Sequence, residues 1–334
     1  MRIGFFEVEL WENDYLQKQF PADKIIFSTG RLTVKNAKKH SQLEAIAVFV
    51  HSEINVKVLQ QLPQLKLITT MSIGFDHLDL KECAQRKITV CNVPCYGENT
   101  VAEHTLALIL ALSRKIVDCV ERTKKGSFEL TGLRGFDLRG KILGVVGGGN
   151  IGQHVIRMAK GLEMKVLVYD IFKDQQLAKK LGFKYASLDQ LFKNADLITL
   201  HVPLNKHTLH LVDEKKLALM KPSAYLINTS RGGVIDTDAL VKALKRKKIA
   251  GAALDVLEEE CDIIEETQLL KKDFKGKCNL KTLIENHLLL KMPNVIITPH
   301  NAFNTTEALM RILDTTVENI KGFRKGREKN VVKV

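Results

Sequence analysis

Residues 142–152 read Ile142-Leu143-Gly144-Val145-Val146-Gly147-Gly148-Gly149-Asn150-Ile151-Gly152. An apolar, β-branched run enters a set of spaced glycines and leaves into an amphipathic stretch. This is G-x-G-x-x-G in the strand–turn–helix setting that gives the pattern meaning. Gly147 permits a tight turn, Gly149 lets a phosphate approach the backbone, and Gly152 lets the helix pack closely on the strand. The N-terminus of the following helix then offers unpaired amides and partial positive charge to an anion. The next run, Lys165–Tyr169, ends in Asp170, 18 residues beyond Gly152. An acid there accepts the adenosine ribose hydroxyls and repels a 2′-phosphate, which favours NAD over NADP. Lys173 close by softens that exclusion a little.

Around this motif, short β-branched runs alternate with amphipathic stretches, the pattern of parallel α/β units. Before it, strands are predicted at 2–8, 45–51, 65–70 and 88–93, with a candidate strand at 24–28 and helices at 55–61 and 78–85. A long helix is predicted from Asn99 or Thr100 to about Arg122, on the helical spacing of Ala102, Leu106, Ile109 and Leu110. Residues 124–141 read as loop. Further strands are predicted at 142–146, 165–169, 197–201, 224–228, 251–256 and 295–298, and a last helix at 305–323. No firm assignment follows for 261–292.

Composition bounds the rest. Hydrophobic residues are 45% and charged residues 27% of 334, a length that favours two domains. Aromatics are 6%, so Leu, Ile and Val must fill the cores. The N-terminus meets acids within seven residues and carries no basic segment ahead of a long apolar run. The longest strongly apolar run, 105–113, is far short of the ~20 residues of a membrane span. A cytoplasmic protein without membrane contact is expected. Cys83, Cys91, Cys95, Cys119, Cys261 and Cys278 form no C-x-x-C pair, and no His pair follows at zinc-finger spacing. Reduced thiols and no metal are expected. The net charge of +13 comes mostly from scattered Lys. The densest cluster, Lys245-Arg246-Lys247-Lys248, closes a predicted helix, where cations suit the dipole, and no aromatic is interleaved for base stacking. We therefore expect a solvated Lys-rich surface and no nucleic-acid partner. The same field would draw an anionic substrate.

Parallel sheets gather ligands just past their strand C-termini. Hydride transfer to an oxo acid needs a cation for the carboxylate or carbonyl, an acid for the carbonyl oxygen and a group that tunes that acid. The predicted strand 224–228 runs into Thr229-Ser230-Arg231-Gly232-Gly233, and the Arg231 fork suits a carboxylate. The strand at 251–256 leads to Glu258-Glu259-Glu260, among which composition cannot choose. The strand at 295–298 leads to Pro299-His300.

With these residues in view, the sequence resembles the D-isomer-specific 2-hydroxyacid dehydrogenase family, and within it the D-lactate dehydrogenase branch. The matching segments run in order along nearly the whole chain. They are Ser72 to Asp79, Val93-Pro94-Cys95-Tyr96, Val101-Ala102-Glu103-His104, Gly144 to Gly152, Leu200-His201-Val202-Pro203, Leu226 to Gly232, Gly251 to Val256 and Ile297-Thr298-Pro299-His300. The resemblance implies an α/β fold of two Rossmann-like domains with parallel sheets, the NAD-binding domain (101–299) inserted in a substrate domain (1–100 and 300–334). It implies Arg231 as carboxylate ligand, His300 as proton donor, and Glu260, 29 residues beyond the arginine, as the carboxylate that keeps His300 protonated. It implies substrate contacts at Ile73, Gly74 and Tyr96. Cofactor contacts beyond the glycines are implied at Asn150, Ile151, Asp170, Val202, Pro203, Thr208, Thr229, Ser230 and Asp255. It also implies a homodimer joined through the region after residue 100.

The sequence departs from the branch at Asn304, where Tyr is common after the catalytic His and Phe. It also carries Cys261 where many relatives outside the branch have Pro. The smaller wall at Asn304 leaves room for an acid slightly larger than pyruvate, and a hydroxyisocaproate-type substrate stays open. Phosphoglycerate activity is disfavoured, because the sequence ends soon after the last predicted helix. From another class, an NAD-sensing corepressor would keep the same scaffold, but such proteins generally carry unstructured tails that this sequence lacks.

Overall fold

The structure, a computed structural model, describes residues 1–259 and 279–332. The chain divides into two compact units, Met1–Tyr96 with Asn304–Val334, and Gly97–Phe303. Each is α/β with an all-parallel sheet, and in chain order the second lies between the two segments of the first.

The first unit holds β1 (Arg2–Phe6), β2 (Lys24–Ser28), β3 (Ala45–Val48), β4 (Leu67–Thr70) and β5 (Thr89–Cys91), in the order β2-β1-β3-β4-β5. β1 stops short of the predicted residue 8 because Glu7 turns to φ 61. A helix that periodicity did not announce, α1 (Leu10–Gln19), follows it. Its buried residues are Glu12 and Leu16 alone, so it carries no apolar stripe, and a capping box between Glu9 and Glu12 starts it. Two short helices, α2 (Val56–Leu59) and α3 (Leu80–Gln85), open on Asn55 and Asp79 side-chain caps. The C-terminal helix, Thr306–Arg324, packs on α1 and β4.

The second unit begins with α4 (Glu98–Arg114) and α5 (Ile116–Lys124). The predicted single helix to Arg122 is therefore two. Lys115 sits at φ 51, and the Ser113 carbonyl accepts the Phe136 amide at 2.9 Å. A left-handed residue ends a helix. The sheet runs β12-β11-β10-β9-β6-β7-β8. Its strands are β6 (Ile142–Val146), β7 (Lys165–Tyr169), β8 (Lys184–Tyr185), β9 (Leu197–Leu200), β10 (Tyr225–Asn228), β11 (Gly251–Leu254) and β12 (Val295–Ile297). Alternate residues feed two cores. Val146, Ile198, Leu200, Leu226 and Leu254 pack on one face, and Val145, Leu197, Ile227 and Ala253 on the other. Such double-sided burial is what continuous apolar strands require. Strand order reverses between β6 and β9, and ligands bind at such a switch point. Among the described residues no helix is long and apolar enough to cross a membrane.

Candidate active site

Register decides which residues meet. Tyr169, Val146, Leu200, Asn228, Leu254 and Ile297 pair in one row across the seven-stranded sheet. The residues next in sequence are Asp170, Gly147, His201, Thr229, Asp255 and Thr298. Six separate stretches of chain thus deliver polar groups to one sheet edge, with Arg231 and His300 two residues further along.

The glycine turn fits a dinucleotide. Gly147 has φ 100, and a Cβ there would sit 2.6 Å from the His201 carbonyl oxygen. A Cβ at Gly152 would overlap the Gly147 carbonyl oxygen, so helix α6 (Asn150–Gly161) can lie against the turn only with glycine there. Gly149 differs. Its φ is −67, and a Cβ would meet nothing within 4 Å. Neither backbone nor packing demands glycine at 149, whereas close approach of a phosphate does. As N-cap, Gly149 supplies no side-chain acceptor to the first turn of α6. Asn150 donates to Glu98 Oε1 on α4 at 2.6 Å, and Ile151 packs into the core beneath.

Asp170 accepts the Gly148 amide at 2.7 Å and the Phe172 amide at 2.9 Å, so its carboxylate is fixed beside the glycine turn. Asp170→Ala should weaken NADH binding by about tenfold, the worth of one or two hydrogen bonds to a charged group. It should also narrow the preference over NADPH. Fluorescence titration with both nucleotides measures each effect, and unchanged discrimination would remove Asp170 from the ribose site.

After β9, Thr208 Oγ1 donates to the Pro203 carbonyl at 2.6 Å and accepts the Asn205 amide at 2.8 Å, which folds Val202, Pro203 and Thr208 into one tight loop. His201 contacts Thr199 Oγ1 through Nε2 at 3.0 Å, while its Nδ1 is buried without a partner. Burial pushes its pKa down to about 3, so it stays neutral. Thr229 and Thr105 of α4 share a hydroxyl hydrogen bond of 2.8 Å.

Asn228, fully buried, shapes the next turn. Its Oδ1 accepts the Ser230 amide and hydroxyl, and its Nδ2 donates to the Arg231 carbonyl at 2.9 Å. Arg231 Nη1 donates to the Ser230 carbonyl at 2.8 Å, and a Cβ on Gly232 would overlap the Leu257 backbone. The turn is locked from both sides of the arginine.

His300 has its backbone held in the left-handed region. It holds φ 51, and its amide donates to the Asp255 carbonyl at 2.8 Å and the Thr298 carbonyl at 2.9 Å. Its ring meets the edge of Phe303 at 6.3 Å. A left-handed non-glycine residue persists only where its surroundings over-determine it. Here Asp255, 1% exposed, does so. Its carboxylate accepts Thr298 Oγ1 at 2.5 Å, the Asn301 amide at 2.8 Å and the Ala302 amide at 2.9 Å. Burial pushes the Asp255 carboxyl up, but the hydrogen bonds from His104, Thr298 and these amides together hold it below the usual carboxylate range.

Of the three consecutive acids, Glu258 accepts His210 Nε2 and Thr237 Oγ1, both at 2.7 Å, and Glu259 accepts the Asn279 amide at 2.9 Å. Glu260, expected to tune His300, lies outside the described residues.

Ile73, Gly74 and Tyr96 belong to the first unit. Asn92 Nδ2 holds the Ile73 carbonyl at 2.9 Å, and Ser72 Oγ the Gly74 carbonyl at 2.6 Å. Ile73 is exposed. Tyr96 is buried, and its carbonyl accepts Arg311 Nε at 2.7 Å. The sequence assigns no role to His104 or Thr298. A histidine mid-helix and a threonine at a strand end carry no spacing that links them to Asp255.

Comparison with known proteins agrees with this geometry. Residues 106–302 match the family model of the D-isomer specific 2-hydroxyacid dehydrogenase, NAD binding domain. The chain is 34% identical to the D-lactate dehydrogenase of Escherichia coli, covering 98% of each chain. It is 33% identical to the glyoxylate reductase of Pyrococcus furiosus, over 98% of this chain and 91% of that one. Its fold matches the crystal structure of D-lactate dehydrogenase from Aquifex aeolicus complexed with NAD and lactic acid, with a TM-score of 0.85 and 39% identity over 97% and 96% of the two chains. By its glycine turn, its sheet edge and these likenesses, the chain belongs to the D-isomer specific 2-hydroxyacid dehydrogenase family of NAD-binding oxidoreductases.

Proposed function

We propose that the protein reversibly reduces pyruvate, or a slightly larger 2-oxo acid, to the D-2-hydroxy acid. The observation that carries this reading is the common sheet edge: Arg231 and His300 leave strands β10 and β12 at the same end of the sheet at which the glycine turn leaves β6. NADH, held by Gly147, Gly149, Gly152, the first turn of α6 and Asp170, supplies the hydride for C2. Val202, Pro203, Thr208, Thr229, Ser230 and Asp255 complete the wall of that cofactor site. Arg231 takes the substrate carboxylate in its fork and draws electron density from the carbonyl. Ile73 and Gly74 offer backbone amides to the same carboxylate, and Tyr96 lines the pocket. His300 donates a proton to the carbonyl oxygen, and in the oxidising direction removes it. Glu260 is the carboxylate that would pair with the His300 imidazole. Hydride on C2 and proton on oxygen together make the hydroxy acid.

Relatives named D-lactate dehydrogenase support pyruvate, whereas those named glyoxylate reductase favour a second reading, reduction of glyoxylate. The test is NADH oxidation with pyruvate, 2-oxobutyrate, 2-oxoisocaproate, phenylpyruvate, hydroxypyruvate and glyoxylate, with the chirality of each chiral product determined. Highest kcat/KM on pyruvate or 2-oxobutyrate with a D product is expected. Preference for glyoxylate would replace the substrate, and NADH binding without turnover of any acid would favour a corepressor-like binding protein.

The proposed homodimer joins through the region after residue 100. Ile116, Val117 and Val120 of α5 are exposed, as are Phe128 and Leu130 beyond it. Apolar side chains gathered in one segment mark a contact surface. Sedimentation should give a dimer for the native chain and a monomer for Val117→Asp with Val120→Asp. A native monomer would overturn the assignment.

A further inference from the structure

We infer that His104 is a positioning residue: its Nε2–H holds the Asp255 carboxylate and the Thr298 hydroxyl, and through them fixes the loop that carries His300. His104 lies on α4, with Nε2 at 3.3 Å from Asp255 Oδ1 and 3.2 Å from Thr298 Oγ1. The donor inventory settles the direction. A threonine hydroxyl has one proton, and that of Thr298 goes to Asp255 Oδ1 at 2.5 Å. Asp255 also accepts the Asn301 and Ala302 amides, four donors in all with His104, which is the arrangement of an ionised, acceptor-only carboxylate. His104 Nε2 therefore carries a proton and donates it to both oxygens.

The consequence reaches His300 through the backbone. Asp255 uses its carbonyl for the His300 amide and its carboxylate for the two amides that follow. A carboxylate free to rotate would release the loop on both sides of a residue already at φ 51. The Asp255 side chain is fixed on its remaining side by α4, and α4 is tied down one residue on by the Thr105–Thr229 hydroxyl pair. Helix α4 thus braces the loops after β10, β11 and β12 together. His104 need touch neither substrate nor cofactor to act.

This inference rests on the proposed role of His300 where turnover is concerned, so its test has an arm that does not. His104→Leu removes the donor at similar size, whereas His104→Gln restores an N–H at the same reach. In the unliganded protein, hydrogen exchange of the Asn301 and Ala302 amides should quicken by about tenfold or more in His104→Leu and return close to wild type in His104→Gln. In kinetics, His104→Leu should lower kcat by about 10- to 100-fold, the effect of a small misplacement of a reacting group. His104→Gln should recover kcat to within about threefold of wild type. Unchanged exchange in His104→Leu, or equal damage in both variants, would overturn the positioning role. If wild type turned over no 2-oxo acid, the functional reading would fail while the exchange result still decided the clamp.

Discussion

His300→Ala is expected to lower kcat for 2-oxo acid reduction by about 10²- to 10⁴-fold, the usual worth of a positioned general acid, while NADH binds as in wild type. The separation follows from where the side chain is anchored. The His300 backbone is held by the Asp255 and Thr298 carbonyls, and the ring meets Phe303, while the glycine turn and Asp170 lie across the sheet on β6 and β7. One complication is the left-handed backbone at φ 51, which alanine adopts at a cost of about 1 kcal/mol. His300→Asn removes it, because asparagine tolerates that conformation yet cannot act as an acid near neutral pH. Both variants should lose turnover alike in steady-state assays and keep NADH fluorescence titrations unchanged. Wild-type kcat in the Asn variant would displace His300 from the proton-transfer role.

The glycine turn was legible in the sequence because its signal is local. Strand β6, the turn and α6 are continuous in the chain, and the backbone conformation at Gly147 and the contact at Gly152 dictate residue type directly. The strand ends carrying Arg231 and His300 were legible for the same reason, as apolar runs stopping at polar groups. What was not legible depends on distant partners. Helix α1 is set by a cap and by packing under the C-terminal helix, not by an apolar stripe. The break at Lys115 depends on the Phe136 amide taking the Ser113 carbonyl. The acidic run was undecided because its members are sorted by what reaches them: His210 and Thr237 for Glu258, and the Asn279 amide for Glu259. Asp255 enters from the sequence only through the family resemblance, as a cofactor contact. Its grip on the His300 loop could not be read there, since that depends on amides and a hydroxyl brought by β12.

Arg231 gives the other large effect, and its two conservative replacements separate charge from shape. Arg231→Gln should lower kcat/KM for the oxo acid by about 30- to 5,000-fold, the 2–5 kcal/mol lost when one partner of a hydrogen-bonded charge pair is truncated. Arg231→Lys keeps the charge but loses the planar fork, so it should recover only part of that loss. Neither change should unfold the turn. The Asn228 side chain holds the Ser230 amide and hydroxyl and the Arg231 carbonyl, and Gly232 fits against Leu257, all through atoms that these substitutions retain. Within the turn, both substitutions remove the contact from Nη1 to the Ser230 carbonyl. If the guanidinium also polarises the carbonyl, kcat must fall along with the rise in KM, because that interaction strengthens as charge develops on the oxygen. A rise in KM with kcat intact would leave Arg231 as a carboxylate anchor alone. Wild-type values for both would mean that the carboxylate is bound elsewhere.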